Sequence, residues 1–161
     1  MAAAEDTADK LAYLKDGFVG DSSLDCVVNT VNCVGVMGKG IALVFKHRYP
    51  SMFADYQTRC ARGLVRLGEP YLFVDPGSGR KIVNFPTKQH WRQRSKIHDV
   101  DNGLRYLADK LAAWGVKSIA FPALGCGCGN LDFAVVLPMI LSHIQPLDIK
   151  FEIYRPLSPR K

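Results

Sequence analysis

Long apolar runs are missing from this sequence. The longest, "FAVVLPMIL" at 133–141, is far too short to cross a bilayer and contains Pro138, so a membrane-spanning helix is not expected. The opening "MAAAEDTADK" has acids and no apolar core, which argues against a secretory leader and for a loose tail over 1–10. Cysteine is present without organisation. Five thiols (Cys26, Cys33, Cys60, Cys126, Cys128) are an odd number with no disulfide spacing, which suits a reducing, cytoplasmic setting and half-buried structural thiols. Cys126 and Cys128 form C-x-C rather than C-x-x-C, and the four histidines are scattered, so neither a zinc site nor any other metal or cofactor is expected. Repeats and low-complexity segments are absent as well. No G-K-[ST] follows a glycine loop at Walker spacing, and no G-x-G-x-x-G opens a βαβ unit, so the common nucleotide-binding motifs are excluded. Acidic residues are outnumbered, 15 against 21 basic, and the net charge of +6 favours an anionic partner.

What is there suffices for one domain. With 161 residues, 48% of them hydrophobic, the chain can bury a sizeable core, and the domain is expected to cover 11–156, with a short tail at 157–161. "CVVNTV" at 26–31 reads as a buried strand. A helix is expected over 39–48, and Pro50 opens a second that Gly63 stops. "PYLFVD" and "KIVNFP" flank "PGSG", which predicts a hairpin over 71–86. Ile97, Val100, Leu104, Leu107 and Leu111 recur at helical spacing up to Gly115. "SIAFP" is a short strand. A helix over about 131–144 follows, with Asn130 or Asp132 as N-cap, and "IKFEIY" closes the chain as a strand. Strands alternating with helices predict an α/β domain, with helices covering both faces of a mixed sheet.

Two glycine loops stand where a strand gives way to a helix. The first is "NTVNCVGVMGKG" at 29–40, the second "ALGCGCGN" at 123–130. In open α/β sheets ligands bind beyond the carboxyl ends of the strands, and glycine loops there free backbone N–H groups for an anion. One such loop is weak evidence, since tight turns use glycine too. Two on neighbouring strands predict a single deep crevice for an anionic ligand.

Three stretches together, "VVNTVNCVGVMGKGIALVFK", "NFPTKQHWR" and "PALGCGCGNLDF", resemble the macrodomain family of ADP-ribose-binding proteins. The resemblance spans roughly residues 16 to 155 and is strongest to the branch of DarG antitoxin macrodomains and the terminal ADP-ribose protein glycohydrolase. It implies a three-layer α/β/α fold with a mixed central β-sheet and a metal-independent ADP-ribose site. By the same resemblance, Asn32 lies beside the distal ribose, with a turn role as the plainer alternative. Gly38, Lys39, Gly40 and Ile41 form one phosphate-side loop, and Gly125, Cys126, Gly127, Cys128 and Gly129 the other. Asp21 is the implied acceptor of the adenine amino group, with Asp25 a rival, and Tyr154 either stacks on adenine or packs in the core.

Lys88 carries the chemistry that the resemblance implies. Most lysines are solvated surface charges, and Arg92, Arg94 and Lys96 fit that description. A lysine directly after a buried strand, among Phe85, Pro86 and Trp91, is instead expected to be partly desolvated. Burial and neighbouring cations both disfavour a charged amine. In this branch the matching lysine is catalytic, attacking the anomeric carbon or acting as the base that helps open the ribose ring. The protein-directed glycohydrolase adds an aspartate where this chain has "CGCGN". The aligned position is Gly129, and Asp132 reads as a helix cap. That departure favours the DarG-like arrangement, and with it ADP-ribosylated DNA, linked through thymidine, over ADP-ribosylated protein. The basic, aromatic stretch 88–96 offers a single-stranded nucleic acid a surface, with Trp91 for base stacking. The expectation is thus an ADP-ribosyl hydrolase acting as a monomer. The competing readings are a non-catalytic ADP-ribose reader and an O-acetyl-ADP-ribose deacetylase.

Overall fold

The computed structural model describes residues 12–157. The expected tail at 1–10 and all but Leu157 of that at 157–161 lie outside the described residues. Six strands form one sheet: β1 (Leu14–Lys15), β2 (Cys26–Val31), β3 (Tyr71–Val74), β4 (Lys81–Pro86), β5 (Ser118–Phe121) and β6 (Lys150–Tyr154). Their order across the sheet is β1-β6-β5-β2-β4-β3. Every neighbouring pair is parallel except β3 and β4, the expected hairpin, so the sheet is mixed. The helices are α1 (Gly40–Arg48), α2 (Pro50–Ala61), α3 (Ile97–Lys110) and α4 (Phe133–Ile144), with 3-10 turns at Val19–Asp21 and Gln145–Leu147.

The three layers follow from the two-residue period of the strands. Cys26 and Val28 of β2, with Val83 and Phe85 of β4, join one cluster with Val100, Leu104 and Leu107 of α3 and Val136, Ile140 and Ile144 of α4. Val27, Val31 and Ile82 point the other way and meet Phe45 of α1 and Met52 and Tyr56 of α2. A strand covered on both faces has no polar side to show, which is why "CVVNTV" reads as a near-continuous apolar run. The exceptions are Asn29 and Asn84, which are fully buried and paired in register. Asn29 Nδ2 donates to Asn84 Oδ1 at 3.1 Å, and Asn84 Nδ2 donates to the Tyr71 hydroxyl at 3.1 Å. Three strands are thereby linked through one polar ladder inside an apolar layer.

Local signals set the element ends. Pro50 opens α2, and the Asp132 carboxylate accepts from Ala134 N, which makes Asp132 rather than Asn130 the cap of α4. Gly63 and Gly115, at φ +68° and +67°, terminate the turns after α2 and α3. Strand β1 was not expected. Two residues are too few to show a period, and only pairing with Ile153 and Tyr154 of β6 makes it a strand.

Gly103 sits inside α3 directly over the ring of Phe85. A Cβ built there would lie 2.5 Å from Phe85 Cζ and 2.7 Å from Cε1. Alanine normally gains about 1 kcal/mol over glycine in a helix interior, but overpacking a closed core costs about 1–3 kcal/mol. The ring is fully buried and cannot swing away. Gly103→Ala is therefore expected to lower stability, by about 1–2 kcal/mol in chemical denaturation, with much of the loss restored when Phe85→Leu is added. A stabilised Gly103→Ala would show that α3 is less tightly seated than this contact implies.

Candidate active-site crevice

Because β2, β4, β5 and β6 run parallel, their carboxyl ends open on the same edge of the sheet. A crevice of about 760 Å³ lies there, lined by both glycine loops. The first loop is organised by one side chain. Asn32 Oδ1 accepts from Val34 N at 3.0 Å and from Val36 N at 3.5 Å, while Nδ2 donates to Val36 O at 2.8 Å. The buried Tyr56 hydroxyl bonds the same residue at Oδ1 (2.7 Å) and at its carbonyl (2.9 Å). An amide so fully used is fixed, and it folds residues 32–36 back so that Gly38 to Ile41 face the crevice. Lys39 is the N-cap of α1, and no side chain caps that helix end. Among the described residues, the amides of 38–42 donate to no protein acceptor.

The second loop is held at both ends and open in the middle. Leu131 N donates to Gly125 O at 2.8 Å, Cys126 N to Ala123 O at 3.0 Å, and Ser95 N to Gly129 O at 3.0 Å. The amides of Gly127, Cys128 and Gly129 donate to no acceptor among the described residues. The glycines differ in what they permit. A Cβ on Gly129 would fall on Ser95 Oγ and lie 2.5 Å from Gly125 O, whereas one on Gly127 would meet nothing within 4 Å. Gly129 is small for the fold. Gly127 is bare toward the crevice.

Lys88 follows β4 between these loops and is half-buried. Its Nζ donates to Trp91 O at 3.2 Å and to Cys128 O at 3.4 Å, so it ties its own turn to the second glycine loop. That turn is internally braced: Gln93 N donates to His90 O, His90 N to Gln93 Oε1, and Arg92 N to His90 Nδ1. Trp91 stays 44% exposed, with the Arg92 guanidinium 4.7 Å above its ring, and both residues line the crevice.

Residues 28–140 match the model of the Macro domain. The match covers well over half of the chain. The chain belongs to the Macro domain family. It is 47% identical over 136 residues to the DNA ADP-ribosyl glycohydrolase of Mycobacterium tuberculosis, an alignment covering 82% of this chain and 38% of that protein. The Thermus aquaticus protein of the same name is 39% identical over 88% of this chain and 40% of its own length. Among solved structures, the macrodomain of Mycobacterium tuberculosis DarG superposes with a TM-score of 0.84 at 41% identity, covering 89% of this chain and 98% of that one. Thermosipho africanus DarTG, solved in complex with ADP-ribose, gives a TM-score of 0.86 at 34% identity over 92% of this chain and 42% of that chain. This macrodomain thus spans about two fifths of the length of the curated DNA ADP-ribosyl glycohydrolases it matches.

The macrodomain crevice gathers Asn32, Gly38, Lys39, Gly40, Ile41, Lys88, Gly125 to Gly129 and Tyr154. The two acids fall elsewhere. Asp21 sits just outside the rim on the 3-10 turn, largely exposed and bonded to Arg48 Nη1 at 2.7 Å. Asp25 lies before β2, at the opposite edge of the sheet. There it accepts from Lys81 Nζ at 3.1 Å and Lys117 N at 3.0 Å, and those partners hold its carboxyl below the usual range even though burial opposes them. Asp25 therefore lies away from the crevice. Tyr154 is half-buried at the rim, its hydroxyl near Glu152 Oε1 at 3.3 Å, and burial raises its phenol.

The thiols divide unevenly. Burial pushes Cys26 up to about 12, and Cys33 and Cys126 up to about 11, as expected of structural cysteines. Cys128 is exposed in the crevice loop, contrary to the half-buried expectation, because its neighbours on both sides are glycines that cover nothing. Among the described residues no cluster of three or more His, Cys, Asp or Glu could hold a metal, and no helix is long and apolar enough to cross a membrane.

Sequence reasoning missed Tyr56, the buried partner of Asn32. A tyrosine within "ADYQT" gives no local sign that its hydroxyl reaches a loop 24 positions earlier. It also missed Leu157, assigned to the tail, which lies at the crevice mouth. Tyr56→Phe is expected to cost about 1–2 kcal/mol, because it removes the one hydroxyl proton that the buried Asn32 carbonyl and amide oxygens share. Hydrogen exchange at the Val34 and Val36 amides should accelerate together. Unchanged exchange would mean that the loop holds its shape without the hydroxyl.

Proposed function

We propose that this macrodomain is an ADP-ribosyl hydrolase that removes mono-ADP-ribose from DNA, linked through thymidine, with acidic protein side chains as a second substrate class. The carrying observation is the pair of uncommitted amide rows, 38–42 and 127–129, lining one crevice with Lys88 beside them. Backbone donors at a helix start and in a glycine loop suit a diphosphate. Asn32 then borders the distal ribose, Tyr154 and Val19 flank the adenine, and Asp21, two positions after Val19, receives the adenine amino group. The donors are all N–H groups, so binding needs no metal. The names of the relatives support the DNA assignment, as does the exposed Trp91 with Arg92 above it, which suits a single strand. The free thiols suit the cytoplasm, and a monomer suffices for the site.

Lys88 Nζ acts at the anomeric carbon. In the covalent route the lysine nitrogen first gives up a proton to solvent and then attacks that carbon as its bond to the thymine nitrogen breaks. The electron pair leaves with the base, which takes a proton from the new C–N centre. The ribosyl amine opens to an imine, and water hydrolyses it to free ADP-ribose and the original lysine. In the alternative route the same nitrogen serves as a base that helps open the ribose ring. Asp132 takes no part, since its carboxylate caps α4.

ADP-ribose binding by calorimetry should survive EDTA and be lost in Gly127→Val. That residue has room to fold but places its branches where the diphosphate must lie. Lys88→Ala should lose release of ADP-ribose from a modified oligonucleotide by orders of magnitude while keeping most of its affinity for free ADP-ribose. Borohydride should trap an ADP-ribose adduct on Lys88 if the covalent route operates, and absence of the adduct would leave base catalysis. Full turnover in Lys88→Ala would remove the lysine from the mechanism and bring the reader or deacetylase reading forward.

A further inference from the structure

A second cavity, of about 400 Å³, shares one wall with the first, and that wall is Lys88. Its other lining residues are Leu67, Gln89, Gln93, Arg94, Ser95, Lys96 and Asp99. We propose that this cavity seats a phosphate of the nucleic acid strand, next to the modified nucleotide. The inference rests on the hydrolase reading above and extends it to the part of the substrate beyond ADP-ribose.

The lining is rich in donors. Arg94 and Lys96 are exposed and form no salt bridge among the described residues. The amide oxygen of Gln93 is used by His90 N, which leaves its NH₂ group to donate. Gln89 has no side-chain partner among the described residues, and its backbone carbonyl anchors Cys33 N of the first loop at 3.0 Å. Lys96 is the N-cap of the 14-residue helix α3, whose first turn is capped by no side chain and adds partial positive charge. The Ser95 hydroxyl is buried against Gly129 and adds no donor to this wall. Against three cations stands one carboxylate, Asp99, which is paired with His98 Nε2 at 3.2 Å. A ligand offering several acceptor oxygens and negative charge fits this wall, and a guanidinium beside an ammonium matches a phosphodiester.

The position fits as well. If ADP-ribose fills the crevice with its anomeric carbon at Lys88, the attached nucleotide lies at the same junction and its strand must run over residues 88–96. Trp91 and Arg92 border the crevice side of that turn, and Arg94 and Lys96 the other. A phosphate in the second cavity would hold the strand from behind while the diphosphate holds the ADP-ribose in front.

The test uses the double variant Arg94→Gln/Lys96→Gln and two substrates: an ADP-ribosylated oligonucleotide and an ADP-ribosyl nucleoside without strand phosphates. The wild-type protein should show a KM roughly tenfold or more lower for the oligonucleotide, and the variant should lose most of that preference. The dependence of log KM on log salt should fall by about 0.7, the value for one lost phosphate contact on a single strand. An equal preference and an equal salt slope in the two proteins would overturn the proposal. An equal loss of turnover on an ADP-ribosylated protein would overturn it too, by showing an acidic peptide as occupant. A separate measurement keeps the subsite independent of catalysis: with the crevice saturated by ADP-ribose, anisotropy of an unmodified single-stranded oligonucleotide should report about tenfold weaker binding in the variant. If neither protein releases ADP-ribose but this difference persists, the hydrolase reading fails and the phosphate subsite stands. If the anisotropy curves coincide, the subsite fails.

Discussion

Most backbone N–H groups of a folded domain find an acceptor within the protein, so rows that find none are unusual. This one leaves two rows, at 38–42 and 127–129, and the rest of the crevice is arranged to keep them that way. Asn32 spends its whole amide on holding the first loop open, and Tyr56 reaches from α2 to hold Asn32. On the second loop Ser95 and Leu131 take the flanking carbonyls, so the middle amides have nothing within the protein to turn toward. Those amides face an open crevice where solvent reaches them, and the two apolar layers beneath supply the packed core.

Lys88 belongs to the same arrangement. Its ammonium tip reaches the carbonyls of Trp91 and Cys128, so a residue on β4's extension also sets the distance between the braced turn and the second loop. The crevice is thereby bounded by three segments from distant parts of the chain, joined by side-chain-to-backbone bonds rather than by packing. That is the kind of support a site needs when the recognition groups are main-chain atoms, which carry no rotamers of their own to adjust.

Much of this was legible in the chain. Strand β2, the hairpin and helices α1 to α4 follow from apolar period and from Pro, Gly and Asp signals at their ends. The two loops announce themselves by glycines at strand-to-helix junctions. What was not legible depends on long-range contact. Strand β1 exists only because β6 offers it an edge, Tyr56 acts through a hydroxyl whose partner is remote, and only the sheet places Asp25, the rival to Asp21, at the far edge. Cys128 differs for a simpler reason: composition predicts buried thiols, but a cysteine between glycines has nothing to bury it.

The contact between Gly103 and Phe85 also works as a spacer. Phe85 lies three positions before Lys88 on β4, and Gly103 six positions after the first residue of α3, so the ring fixes how closely that helix lies on that strand. Both walls of the second cavity hang from these two elements, one from the end of β4 and the other from the start of α3. The width of a polar groove on the surface is therefore gauged by an apolar contact in the core, where the single missing methyl sets the separation.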